Sequence, residues 1–325
     1  MRRRDVVIIG IFVGFEMLYN GPERERAIAE QRAAQAQQEQ VETGATQGSA
    51  ADSADAPAAN GPVEREQVLA ASAGARVVID TPNVDGSISL QGARIDDLNL
   101  RDYRRTVDDT SPEVTVLAPM SSRYGHDAFF GWELQSGPDT ATLADAFSAW
   151  TAEEGARLTP ETPVTLTLED NGLRIARTIA IDADYMFTIT DVITNTRGEA
   201  VQLRPFGTVR RDGMPQDYVR NQIVHQGLVG VFGERNLRQF TYENAQKHAR
   251  DRVRGRVGEE ERLEEEQAQG GWLGLTDHYW LTAIIPDQSE RMSAYFDSRT
   301  EDASTDFRAA YRGQWREAAA GGSVT

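Results

Sequence analysis

The chain of 325 residues has no cysteine and a single lysine, Lys247. The first absence removes disulfides, thiolate nucleophiles and cysteine-based zinc sites together, without placing the chain on either side of a membrane. Basic residues, nearly all arginine, number 34 against 51 acidic ones, a net charge of -17. Binding to a phosphate backbone needs a basic face, so nucleic acid is excluded as a partner. Histidine is scarce as well: His126, His225, His248 and His278 stand far apart, with no pair at the spacing of three to five residues common in zinc sites. Glycine-rich phosphate loops, H-E-x-x-H and G-x-S-x-G are all missing. The expectation is a protein that is not an enzyme, with no catalytic residues, no cofactor and no metal.

Aromatics are absent from the whole interval between Tyr19 and Tyr103. Its earlier part is rich in Ala, Gln, Glu and Arg and its later part in Gly, Ser, Asp and Pro, so it cannot bury enough apolar area to offset chain entropy. Residues 21–75 therefore read as a flexible linker. Residues 22–42 have good helix formers but no apolar stripe, and 43–63 have spacer composition.

Long apolar runs are rare too, with one exception at the start. After Arg2, Arg3 and Arg4, residues 6–19 are apolar apart from Glu16 and two glycines, and include Val6, Ile8, Ile9, Ile11, Phe12, Phe15, Leu18 and Tyr19. As a helix they would cover ~21 Å, short of the ~30 Å hydrocarbon core. The only A-x-A site nearby, Ala27-Ile28-Ala29, is separated from the run by Glu23, Arg24, Glu25 and Arg26, which disfavours signal cleavage. Residues 1–20 are expected to remain as a transmembrane anchor, with bilayer thinning and snorkelling arginines covering the length deficit. The arginines keep the N-terminus cytoplasmic and place the rest of the chain outside. A signal-cleaved soluble chaperone is the lesser reading.

From Arg76 onward, short β-branched runs alternate with turns: RVVIDT, SISL and ARIDDLNL come first. Val164, Leu166 and Leu168 alternate with polar neighbours, Asn171-Gly172 supplies a two-residue turn, and Leu173, Ile175, Ile179 and Ile181 resume the period, predicting a hairpin. A second hairpin is expected around Thr196 to Glu199, with Pro205 marking an edge strand or bulge. WLTAIIP, RMSAYF and FRAAYRGQW add strands. Many strands without βαβ alternation mean a mainly β, antiparallel sandwich over 76–325. Residues 243–269, basic and then acidic, read as a solvated helical insertion.

The stretch GGWLGLTDHYWLTAIIP, 270–286, could carry a ligand groove. Read as one strand, it places Trp272, His278 and Trp280 on one face, where aromatics could stack on a sugar or peptide, although core filling is the simpler role. Asp277 and His278 would point to opposite faces and could not act on one atom.

Four segments carry a family resemblance: RVVIDTPNVDGSISLQGARIDDLNLRDYR, PVTLTLEDNGLRIARTIAIDADYMFTITDVITN, HQGLVGVFG and GGWLGLTDHYWLTAIIPDQ. In this order they resemble the YidC/Oxa/Alb family of membrane protein insertases, in the form common among alphaproteobacteria. The resemblance implies a twisted β-supersandwich, akin to galactose-mutarotase-like folds, held in the periplasm by one helix in the inner membrane. It implies a role in insertion, folding and assembly of inner-membrane proteins, with Sec translocon components such as SecF and nascent membrane proteins as partners. In that family a following bundle of five transmembrane helices performs insertion. The sequence stops at Thr325 without one, and is expected to be part of a longer protein. The competing reading is a membrane-tethered carbohydrate-binding or aldose-epimerase-like protein on the same fold, with His126, His225 or His278 as acid/base.

Overall fold

The computed structural model of the chain describes residues 7–13, 63–108, 110–136, 139–220, 223–233, 237–301 and 304–325. These residues form a mainly β body of two large sheets. A ten-stranded sheet runs in the spatial order Arg238–Thr241, Gly227–Phe232, Gly271–Thr276, Trp280–Ile285, Val7–Val13, Phe187–Asn195, Leu173–Ile181, Val164–Asp170 and Thr151–Ala152, with Ser323–Val324 also on Phe187–Asn195. The twelve-stranded sheet runs Glu264–Gln269, Arg291–Glu301, Ser304–Arg312, Val201–Asp212, His126–Ser136, Arg94–Arg104, Val84–Ser89, Arg76–Asp80 and Arg157–Leu158. Three short strands pair off this path. Where the register is defined among the described residues, strands pair antiparallel, with Arg76–Asp80 against Arg157–Leu158 parallel.

Strict alternation builds the core. In Leu173–Ile181 every odd-numbered residue is buried, and in Val164–Asp170 Val164, Leu166 and Leu168 are. Residues one pleat apart face opposite sides, so each sheet turns one apolar face inward. Leu166, Ile175 and Phe187 from the first sheet join Ile88, Leu98 and Trp132 from the second in one buried cluster. The predicted hairpin is present, with Val164 opposite Ile179 and Asp170 opposite Leu173. Asn171 and Gly172 have φ of 50° and 68°, the left-handed pair that a two-residue turn of matching twist requires.

Val7–Val13 is an extended strand that pairs Val7 with Ile189 and Ile9 with Phe187. Five of its seven residues are β-branched, which favours pairing wherever a strand edge is free. No described helix is long and apolar enough to cross a membrane. The remaining anchor residues, Arg2, Arg3, Arg4, Val6, Phe15, Leu18 and Tyr19, lie outside the described residues.

The end of the expected linker is folded. Arg65–Ala71 is a helix that buries no side chain. Polar bonds attach it: Arg65 donates to Asp97 and, at 3.0 Å, to the Asn99 Oδ1. Residues 21–62 lie outside the description.

The region 243–269 is no single solvated insertion. Tyr242–Val253 is a helix capped by the Thr241 hydroxyl, which accepts from the Asn244 amide at 3.2 Å, and it buries Tyr242, Ala245 and Ala249. Arg252 fastens it to Asp297 at 2.8 Å and to the Ser298 and Glu261 carbonyls. Glu264–Gln269 is then an edge strand paired with Arg291–Glu301. Pro205 lies in a central strand, where residues 201–203 pair with 316–318 and residues 206–212 with 306–312. The changeover needs no amide donor at Pro205, which is why a proline fits there.

Candidate functional site

The stretch 270–286 is a hairpin, not one strand. Gly271–Thr276 turns at Asp277–Tyr279 into Trp280–Ile285, with the Asp277 amide donating to the Trp280 carbonyl at 2.8 Å. Leu273 pairs with Ile284 and Thr276 with Leu281, so Trp280 shares the face of Leu273 and Leu275 while Trp272 takes the opposite one. The proposed three-residue groove is therefore dismantled by the turn. Trp280 stands edge-on to Tyr103 at 5.0 Å, and the His278 ring lies 4.1 Å from that of Tyr279.

Asp277 belongs to a different cluster. Its Oδ2 accepts from Arg211 at 2.7 Å and its Oδ1 from the Tyr242 hydroxyl at 3.4 Å. The same Arg211 Nη2 lies 2.5 Å from His126 Nδ1, so that nitrogen accepts and the ring is neutral. Four residues from a strand end, a strand start, a helix and a turn thus meet inside the sandwich. Desolvation, followed by the adjacent Arg211 charge, holds His126 well below the usual histidine range. Burial pushes the Tyr242 phenol far up and raises Asp277, against the opposing pull of Arg211. A quarter of the Asp277 side chain, 24%, still reaches solvent, but its carboxylate oxygens are engaged by Arg211 and Tyr242.

A second buried cluster joins the two sheets. Arg177 is wholly buried and grips Asp191 through Nε and Nη2, both at 2.8 Å. Its Nη1 donates to the Phe130 carbonyl at 3.0 Å, and its guanidinium lies 4.7 Å from the Trp150 ring centre. Trp132 Nε1 adds a third donor to Asp191 at 2.7 Å. A carboxylate held by three charge-assisted or indole donors is a structural tie, because all its near partners only donate.

His126 meets a guanidinium, and His225 Nε2 meets the Leu228 carbonyl at 3.0 Å. Two clefts are present nearby. One is lined by Trp132, Ile189, Asp191, Pro286, Met292 and Tyr311. It holds ≈ 50 Å³, space for one or two waters, where small-molecule sites run to ~300–1,000 Å³. The other is an open groove of ≈ 430 Å³ lined by Arg65, Asp80, Asp97, Arg101 and Arg157. Its charges satisfy each other: Asp80 takes Arg101 at 2.7 Å and Arg157 at 2.6 Å. Trp272, His278 and Trp280 line neither cleft. Among the described residues no cluster of His, Asp and Glu is arranged to hold a metal ion.

The family model of the YidC periplasmic domain matches residues 76–325. The chain belongs to the YidC family. The match begins at Arg76, the first residue of strand Arg76–Asp80, and so covers both sheets apart from Val7–Val13. Among curated relatives, the membrane protein insertase YidC of Caulobacter vibrioides is 36% identical over 292 residues, 90% of this chain and 45% of its own length. YidC of Maricaulis maris is 36% identical over 306 residues, covering 94% of this chain and 48% of its own, and that of Methylorubrum extorquens 36% over 318, covering 93% and 49%. The chain thus spans about half the length of the YidC relatives it matches.

Neither cluster is foreseen as a unit in the sequence, although His126 and Asp277 are each weighed there as acid/base groups. Arg177 had a visible signal: it sits at an inward position of LRIARTIAI, between Ile175 and Ile179, where an arginine must find a buried partner. Arg211 and Asp277 gave no comparable signal, since only the three-dimensional fold brings positions 126, 211, 242 and 277 together.

Proposed function

We propose that this chain is the membrane anchor and periplasmic β-domain of a membrane protein insertase, a non-catalytic module serving insertion, folding and assembly of inner-membrane proteins. The observation that carries the reading is the YidC periplasmic-domain match across 76–325, preceded by the arginine-led apolar run of residues 1–20. The interior chemistry is consistent with binding over turnover: the buried charges are tied to one another. An epimerase would need two acid/base groups facing each other across a sugar-sized pocket.

Residues 1–20 cross the inner membrane with Arg2, Arg3 and Arg4 on the cytoplasmic side, and residues 21–62 link the anchor to the domain. Within lipid the segment must satisfy every backbone group internally, and a helix does so. The supersandwich architecture and contacts with Sec components such as SecF and with nascent membrane proteins are part of the same reading, by resemblance to the family.

Photo-crosslinking tests it. A benzophenone residue is placed at Phe147, Val253 or Tyr279, which are 79%, 71% and 59% exposed, in cells synthesising a multi-span membrane protein. Adducts with the nascent chain or with a Sec component are expected from at least one position. Their absence from all three, with the chain folded and membrane-bound, overturns the reading, as does heat of binding to a monosaccharide in calorimetry.

A further inference from the structure

The ten-stranded sheet is closed at its middle by a strand from outside the family domain. Val7–Val13 lies between Trp280–Ile285 and Phe187–Asn195 in the sheet order. Both flanking strands belong to the matched residues 76–325, whereas the strand between them precedes that match. Phe187–Asn195 is paired along its full length with Leu173–Ile181. Its other edge is filled in patches: Phe187 to Ile189 face Ile9 to Val7, and Ile193 and Thr194 face Val324 and Ser323. Residues 190–192 have no registered partner on that edge among the described residues. The Asn195 amide donates to the Gly322 carbonyl at 2.9 Å and the Asn195 carbonyl accepts from the Gly321 amide at 3.0 Å. By the period of two, the amides and carbonyls of Phe187, Ile189 and Asp191 address this same edge. Ile189 and Asp191 also line the smaller cleft, together with Pro286, the residue after Trp280–Ile285, and with Trp132 and Tyr311 of the other sheet.

We infer that the gap between Phe187–Asn195 and Trp280–Ile285 is a seat for an extended, β-branched apolar segment of a client polypeptide, which joins the sheet as an added strand. The inference rests on the anchor reading: with residues 1–20 in the bilayer, VIIGIFV is withdrawn and both strand edges stand open. The segment seated in the structure gives the chemistry of the occupant, seven residues of which five are β-branched and none is charged. Pairing through the backbone places no demand on side-chain identity, so one seat serves many apolar sequences, with a preference for residues that favour strands. An apolar segment on its way to the bilayer gains twice from such a seat, since its amides and carbonyls are paired and one of its faces leaves water. The domain gains as well, because two open edges are otherwise sites of uncontrolled pairing.

The test uses the full chain, which has no native cysteine, with and without lipid nanodiscs. Ile8 and Thr188 oppose each other at a pair without mutual hydrogen bonds, where Cα atoms stand ~4.5 Å apart, within disulfide reach. Ile8→Cys/Thr188→Cys is expected to close its internal disulfide without lipid and about tenfold less in nanodiscs, where a helix satisfies the segment. Thr188→Cys alone, in nanodiscs, is then oxidised with a synthetic peptide of residues 4–16 carrying Ile8→Cys. Trapping is expected to be about tenfold greater than at Thr178→Cys, whose strand is paired on both sides, and to be lost with the Val7→Pro/Ile9→Pro peptide, because proline donates no amide. An internal disulfide that closes as readily in nanodiscs as without lipid overturns the anchor reading and the proposal with it. A seat without the internal disulfide in nanodiscs that traps peptide no better than position 178, or traps the proline peptide equally, overturns the proposal alone. So does an internal disulfide that fails to form without lipid. A disulfide-linked dimer through positions 8 and 188 assigns the seat to a second copy and overturns it too.

Discussion

Replacing Arg177 with methionine isolates the largest single stake in the interior. The guanidinium is fully buried and makes three hydrogen bonds, two to Asp191 at 2.8 Å and one to the Phe130 carbonyl at 3.0 Å. Asp191 is itself only 10% exposed. Methionine fills much of the same volume, so the loss is chiefly electrostatic: a carboxylate keeps one donor, the Trp132 indole at 2.7 Å, and a carbonyl loses its own. Removing one partner of such a pair costs about 3–5 kcal/mol, because the remaining charge is left uncompensated. For a domain of this size each kcal/mol moves the thermal midpoint by about 2–4 °C, so Arg177→Met is expected to melt roughly 6–20 °C lower. The double variant Arg177→Met/Asp191→Asn removes both charges and is expected to recover at least half of the loss, since ion pairs replaced as a unit are often near neutral. Circular dichroism with urea titration measures both. A cost below about 1 kcal/mol for the single variant, or a double variant that loses the sum of the two singles, refutes the reasoning.

Acidification probes the other buried cluster. His126 is held neutral below its ordinary value of about 6.5, so the unfolded chain takes up this proton first and stability falls as pH drops through about 6.5. The decline is expected in the urea midpoint of the wild type and to be reduced in His126→Gln; equal slopes contradict the assignment. Asp277 contributes with the opposite sign, because its raised value makes the folded state hold its proton longer. Gly271 has φ of 102°, and a Cβ there would lie 2.1 Å from the Val231 carbonyl oxygen. Gly271→Ala is expected to cost about 2–4 kcal/mol of unfolding free energy, and an unchanged midpoint counts against the pairing of Gly271–Thr276 with Gly227–Phe232.

Local patterns were legible in the sequence where a single strand pair decided them. Alternation from Val164 to Ile181 and the Asn171-Gly172 turn specify a hairpin without help from the rest of the chain. The hairpin of 271–285 was not, because Thr276 to Tyr279 has no glycine, proline or asparagine to announce a turn, and an unbroken alternation carried the reading through it. That one missed turn moved Trp272 and Trp280 to opposite faces and dissolved the aromatic groove. Arg65–Ala71 and Glu264–Gln269 were missed for another reason: both are attached by backbone pairing or by arginine bonds instead of apolar burial, and hydropathy does not register either. The polar clusters are tertiary facts. Arg177 could have been flagged by its place in an apolar alternation, but its partner is reached only when strand Phe187–Asn195 lies beside it.

We propose that the β-domain stands in the periplasm on an anchor whose N-terminus is cytoplasmic. Labelling of single cysteines by a membrane-impermeant maleimide tests it most directly, using Val107→Cys, a position 104% exposed, and Arg3→Cys. In cells with a permeabilised outer membrane and an intact inner one, the account predicts rapid labelling at position 107 and labelling at position 3 only after lysis. Protection of position 107 until lysis, or equal labelling of both positions in intact cells, contradicts it.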